Sequence, residues 1–139
     1  MPTAGTFSQS NRRPALSDRL AILICTASVE RPALYSTPLV HALAAHALDA
    51  EVEIHLAGPS VRLLVDGLAD SLYPTPAQEK SIGDFLREVI AEDIPLFACG
   101  MARAGWIADG ETLILQARAA GATAFVARTL DPAWRTLVY

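Results

Sequence analysis

The chain has only two cysteines in 139 residues. That is too few for a disulfide framework, and such sparing use of thiols fits a protein kept reduced in the cytoplasm. Long apolar runs are missing as well: Asp, Arg or Pro breaks each of them well short of the roughly 20 residues that span a bilayer. The first residues, Met1 to Gly5, show no basic stretch leading into an apolar one, so no secretory signal is expected. Positive charge is not in excess either, with 11 Lys and Arg against 15 Asp and Glu and a net charge of −4. A general nucleic-acid binder needs a cationic face, so nucleic acid is not an expected partner. Charged residues amount to 19% and hydrophobic ones to 52%, far from the polar, charge-rich composition of disordered chains. One soluble domain of ordinary size remains.

Several chemical motifs are absent too. There is no glycine-rich phosphate loop, no nucleophile elbow and no Cys-x-x-Cys. The histidines lack metal-binding spacing: His41 and His46 are five apart and fall on different faces of one helix. His55 alternates with Ile54 and Leu56 and reads as a packed or surface-facing strand residue. No metal and no cofactor is expected.

What is present alternates between strand and helix patterns. Residues 1–18 are rich in Ser, Thr, Asn, Gly and Pro and read as a flexible tail, with a single domain over 19–139. Leu20 to Cys25 is a continuous apolar run of the kind found in a central parallel strand. A helix is predicted to begin near Ser36 or Thr37 with Pro38 at its first position, burying Leu39, Val40, Leu43, Ala44, Ala47 and Leu48. Glu51 to Ala57 alternates with period two and reads as a strand. Gly58-Pro59-Ser60 then turns into a short helix over 61–65, and an irregular loop with Pro74 and Pro76 follows. Ser81 and Asp84 form a capping signature for a helix over 82–92. Ile94 to Cys99 is another buried-type strand, and Met101 to Ala104 a helical turn closed by Gly105. Propensity favours a helix over 111–120 and a strand over 121–126; the reverse, a strand over 114–119 and a helix over 122–130, is the alternative. Trp134 to Tyr139 reads as a closing strand. The expected fold is α/β, a single mostly parallel five-stranded sheet with helices on both faces and flavodoxin-like layering.

Both cysteines fall at C-terminal ends of predicted parallel strands, the edge where open α/β sheets bind ligands. Cys99 precedes Gly100, Met101 and Arg103, where backbone N–H groups, a helix dipole and nearby arginine favour a thiolate. A thiolate attacks sulfane sulfur and can hold a persulfide. Ser28 and Glu30, in the loop after the first strand, share this edge and are candidate substrate contacts beside Gly100, Met101 and Arg103. Trp106 is a candidate shield for the thiol or an interface residue.

Four stretches taken in order resemble the DsrE/DsrF-like (DsrEFH, TusD/YchN-like) sulfur-relay family. They are Tyr35-Ser36-Thr37-Pro38-Leu39-Val40 entering an alanine-rich helix, Gly58-Pro59-Ser60-Val61, Ile94 to Ala102 with its Cys99-Gly100-Met101 turn, and Gly121 to Val126 leading to Leu137-Val138-Tyr139. The resemblance spans 20–139 and selects the strand over 114–119 and the helix over 122–130. It implies a cysteine after the third strand that accepts sulfur as a persulfide and passes it on; Cys99 is the matching position. It implies donor and acceptor proteins as partners and a homo-oligomer, whether dimer, trimer or hexamer. The leading expectation is thus a cytoplasmic, sulfurtransferase-like sulfur carrier. The alternatives are a non-catalytic small-molecule or nucleotide-binding module, with Ala27, Ser28, Glu30 and Gly58 at the same edge, and a structural subunit of a larger oligomer.

Overall fold

A computed structural model describes residues 18–139. Apart from Asp18, the predicted N-terminal tail lies outside the described residues. Five strands, β1 (Arg19–Ile24), β2 (Glu51–Leu56), β3 (Leu96–Cys99), β4 (Ala117–Ala120) and β5 (Arg135–Val138), pair in the order β4-β3-β2-β1-β5. Every pairing is parallel. Four helices connect them: α1 (Ala33–Ala47), α2 (Ile82–Ala91), α3 (Gly100–Trp106) and α4 (Ala122–Leu130).

Period-two geometry divides the sheet into two unequal faces. Ile22, Ile24, Val52, Ile54, Leu56, Leu96 and Ala98 point to one side, where Leu39 and Ala42 of α1 and Ile82, Leu86 and Val89 of α2 complete the main core. On the other side lie Ala21, Leu23, Glu53, His55, Phe97 and Cys99, covered by α4. That cover is thin, for no residue of α4 is fully buried.

The structure adjusts some predicted boundaries. α1 starts at Ala33, so Pro38 is its sixth residue rather than its first. Pro32 already has helical dihedrals (φ −66°, ψ −24°), and Tyr35 is drawn into the core with its hydroxyl donating to the Ser60 carbonyl at 2.9 Å. Pro38 deletes only the bond its N–H would have made to Leu34, and its own ring is buried. The buried stripe is Tyr35, Pro38, Leu39 and Ala42; Val40 (44% exposed) and Leu48 (72%) point outward, against the predicted face. Gly58–Leu64 is a 3-10 helix, and a second short one over Ala69–Ser71 interrupts the predicted loop. α2 has its predicted capping box, the Ser81 hydroxyl accepting from the Asp84 N–H while the Asp84 carboxylate accepts from the Ser81 N–H, each at 3.0 Å. α3 runs through Gly105 to Trp106. β4 forms at 117–120, later than the predicted 114–119, and the helix after it spans 122–130, so tertiary context overrides local helix propensity over 111–120.

Candidate functional site

The C-terminal edge of the sheet is shaped by backbone-directed hydrogen bonds. Gly58 adopts φ +57°, a left-handed conformation suited to glycine, and turns the chain out of β2. The Ser60 hydroxyl reaches the carbonyls of Ile24 (2.6 Å) and Ala57 (2.7 Å), tying the 3-10 segment to the ends of β1 and β2. Burial pushes the Tyr35 phenol well above its ordinary range, so it remains a neutral donor to Ser60. Arg62 grips Glu111 with two hydrogen bonds (2.8 and 3.0 Å) and also donates to the Trp106 carbonyl at 2.9 Å. Together they hold the loop after α3 against the edge. The Arg62 hydrogen bonds, with the Ala108 N–H, lower the Glu111 carboxyl to about 2.

The two cysteines occupy different settings. Cys25 follows β1 and is engaged with the last residue: its N–H donates to the Tyr139 carbonyl at 2.9 Å and its thiol contacts the same oxygen at 3.2 Å. Tyr139 is itself anchored, its hydroxyl hydrogen-bonded to His41 Nδ1. Cys99 closes β3 and is the residue before α3. Its half-buried thiol has no hydrogen-bond partner among the described residues and lines a cavity of about 150 Å³. Phe97, Phe125, Val126, Ala120 and His55 make up half of the rest of that wall.

The other sequence-predicted candidates lie elsewhere. Gly100, Met101 and Arg103 flank the thiol in the chain but are exposed on α3, Met101 at 85%. Trp106 is half exposed and does not line the cavity. Ser28 bridges to Arg31 in the loop after β1, while Glu30 and Arg31 border a separate open groove of about 610 Å³ with Tyr73 and Pro74. Ala27 is fully buried.

His55, read from the sequence as a packed or surface-facing strand residue, lines that wall, while Glu53 and Arg128, not singled out in the sequence, stand behind it. Glu53 and His55 are 6% exposed, on the same face of β2. His55 Nε2 lies 3.0 Å from Glu53 Oε1, and Arg128 of α4 donates to both Glu53 oxygens (2.8 and 3.2 Å). Burial raises the Glu53 carboxyl, but the hydrogen bonds from Arg128 and His55 outweigh it and hold the group below its ordinary 4.5. Arg128 also covers the Trp134 ring at 4.0 Å. A signal was available: two polar residues at alternate positions of a strand share one face, and with helices expected on both faces of the sheet they need partners there. Among the described residues no three His, Cys, Asp or Glu side chains cluster to hold a metal, and no helix is long and apolar enough to cross a membrane.

Comparison with known proteins agrees with this fold. The model of the family described as DsrE/DsrF-like matches residues 18–139. The crystal structure of the ychN protein from E. coli superposes with a TM-score of 0.68 at 15% identity, covering 87% of this chain and 99% of that one. No curated protein matches the chain.

Proposed function

Because this chain belongs to the DsrE/DsrF-like family, we propose that it is a cytoplasmic sulfur carrier that accepts sulfane sulfur on Cys99 and hands it to a protein partner. The observation that carries this reading is the Cys99 thiol at the C-terminal end of β3, without a hydrogen bond among the described residues and facing a small apolar cavity. Cys25 offers a contrast, since its thiol is occupied by the Tyr139 carbonyl.

In the transfer, the Cys99 thiolate attacks the terminal sulfur of a donor persulfide. A new S–S bond forms at Cys99, the donor's S–S bond breaks, and the donor leaves as a thiolate. The same exchange in reverse delivers the sulfur to an acceptor thiol, with no net oxidation and no resident cofactor. An apolar enclosure suits the persulfide by keeping bulk water and competing thiols from it. At about 150 Å³ the cavity admits a sulfur atom or a few waters; small-molecule sites typically start at about 300 Å³.

Donor and acceptor proteins are the proposed partners, and a net charge of −4 gives nucleic acid no attractive surface. The functional form is a homo-oligomer, supported by Val126, Leu130, Leu137 and Val138, all more than 40% exposed along α4 and β5. Sedimentation velocity should give a multiple of 14.8 kDa; a monomer at micromolar concentration would contradict the assembly. The carrier assignment is tested by incubation with a persulfide donor followed by intact-protein mass spectrometry. The wild-type and Cys25→Ser proteins should gain one sulfur atom and Cys99→Ser none. A gain that survives Cys99→Ser refutes the assignment.

A second reading, a non-catalytic binding module, is favoured by the groove beside Glu30 and Arg31, whose roughly 610 Å³ is of small-molecule size. It predicts ligand-induced thermal stabilisation that is retained in Cys99→Ala.

A further inference from the structure

His55 shares the cavity with Cys99 and is built as more than a packing residue. Its ring is held by stacking on Phe97 (centroids 4.9 Å, 25° between planes) and by an edge contact with Phe125 (5.4 Å). One nitrogen, Nε2, is tied to Glu53 at 3.0 Å. The other, Nδ1, has no hydrogen-bond partner among the described residues, where no sealed side-chain nitrogen or oxygen lacks one. Nδ1 therefore keeps accessible surface, on a ring that lines the cavity.

The ring's tautomer follows from what stands behind it. Glu53 is an acceptor gripped by two Arg128 hydrogen bonds, so the Nε2 proton points at the carboxylate and the lone pair sits on Nδ1. Strand register brings this lone pair to the thiol's side of the sheet. His55 pairs with Phe97, and Cys99 is the next residue of β3 on that face. Of the residues lining the cavity, only His55 and Cys99 titrate; the charged groups behind them are Glu53, on β2, and Arg128, on α4.

We propose that His55 is the proton-transfer partner of Cys99, taking the thiol proton at Nδ1, with Glu53 and Arg128 as positioning residues that orient the ring and balance its charge. The inference rests on the carrier reading for its substrate and adds the group that activates the sulfur. In the resting structure the thiol and Nδ1 are not hydrogen-bonded, so the proton passes through one water, for which the cavity has room. The thiol proton moves to His55, and the resulting thiolate attacks the terminal sulfur of the donor persulfide. The donor's S–S bond breaks, and its departing thiolate takes the proton back from the imidazolium. The sum is Cys99 thiol plus donor persulfide going to Cys99 persulfide plus donor thiol.

The test uses the full chain, cysteine persulfide as donor, and iodoacetamide alkylation of Cys99 as a second readout that needs no sulfur transfer. His55→Ala should slow both reactions about a hundred-fold, and added imidazole should restore the rates in proportion to its concentration. A folded His55→Ala protein that reacts at the wild-type rate, or stays slow in imidazole, overturns the proposal. His55→Gln keeps a hydrogen bond to Glu53 and replaces the alanine variant should that fail to fold. Slowed alkylation there supports the proposal, and wild-type alkylation overturns it. Failure of the carrier reading would look different: wild-type Cys99 would take no sulfur, while the effect of His55 on alkylation would persist.

Discussion

Glu53 carries a carboxylate to a position that is 6% exposed, and its ionisation there depends on Arg128. Removing one partner of a buried pair strands the other, a loss of about 3–5 kcal/mol for a fully buried pair. Arg128 is about one-third exposed, so water shares the load, and Arg128→Met should lower the unfolding free energy by about 2 kcal/mol at neutral pH. The sign of the pH dependence follows from the lowered Glu53 carboxyl. Its contribution is present above the unfolded value of 4.5 and disappears as pH falls through the lower folded value. Urea titrations should show the gap between wild type and Arg128→Met narrowing as pH falls from neutral through 4.5 and below. A gap that holds constant into acid would mean that Arg128 stabilises by packing on Trp134 and not by holding Glu53.

The elements were legible where local chemistry decides and shifted where packing does. Ser81 and Asp84 announce the start of α2, and the structure forms both reciprocal bonds. Ser81→Ala should therefore cost about 1 kcal/mol, read as a lower urea midpoint at unchanged slope; an unchanged midpoint would show that the cap contributes nothing. α1 begins a turn before its predicted start because Tyr35 is needed in the core, which no local pattern around Pro38 reveals. β4 is the clearest case. Residues 111–120 favour helix in isolation, yet 117–120 are a strand because Leu96 to Cys99 offer an open edge to pair with. Around the candidate site, the place of Cys99 at a strand end was legible. Glu53, His55 and Arg128 were not, because their meeting joins β2 to α4 across 75 residues of chain.

At the scale of the whole molecule the sheet divides two duties between its faces. The side covered by α1 and α2 holds the large sealed side chains, among them Tyr35, Ile22, Leu39 and Leu56, and supplies the hydrophobic stabilisation. Among the described residues the opposite side has α4 as its cover, and there the hydrogen-bonded Glu53, His55 and Arg128 and the apolar cavity adjoin Cys99. A thinly covered face leaves room for the cavity and leaves Val126 and Leu130 of α4 outward, at the surface proposed to meet another copy. Hydrophobic stabilisation and the proposed chemistry thus lie on opposite sides of one sheet, joined through the strands that both share.

The carrier assignment turns on which of the two cysteine sulfurs takes up the transferred atom. Wild-type protein is loaded briefly with a persulfide donor, quenched, digested, and the added sulfur located by peptide mass spectrometry. It should lie on the peptide containing Cys99, with the Cys25 peptide unmodified. Sulfur on Cys25, or shared evenly between the two, would contradict the assignment.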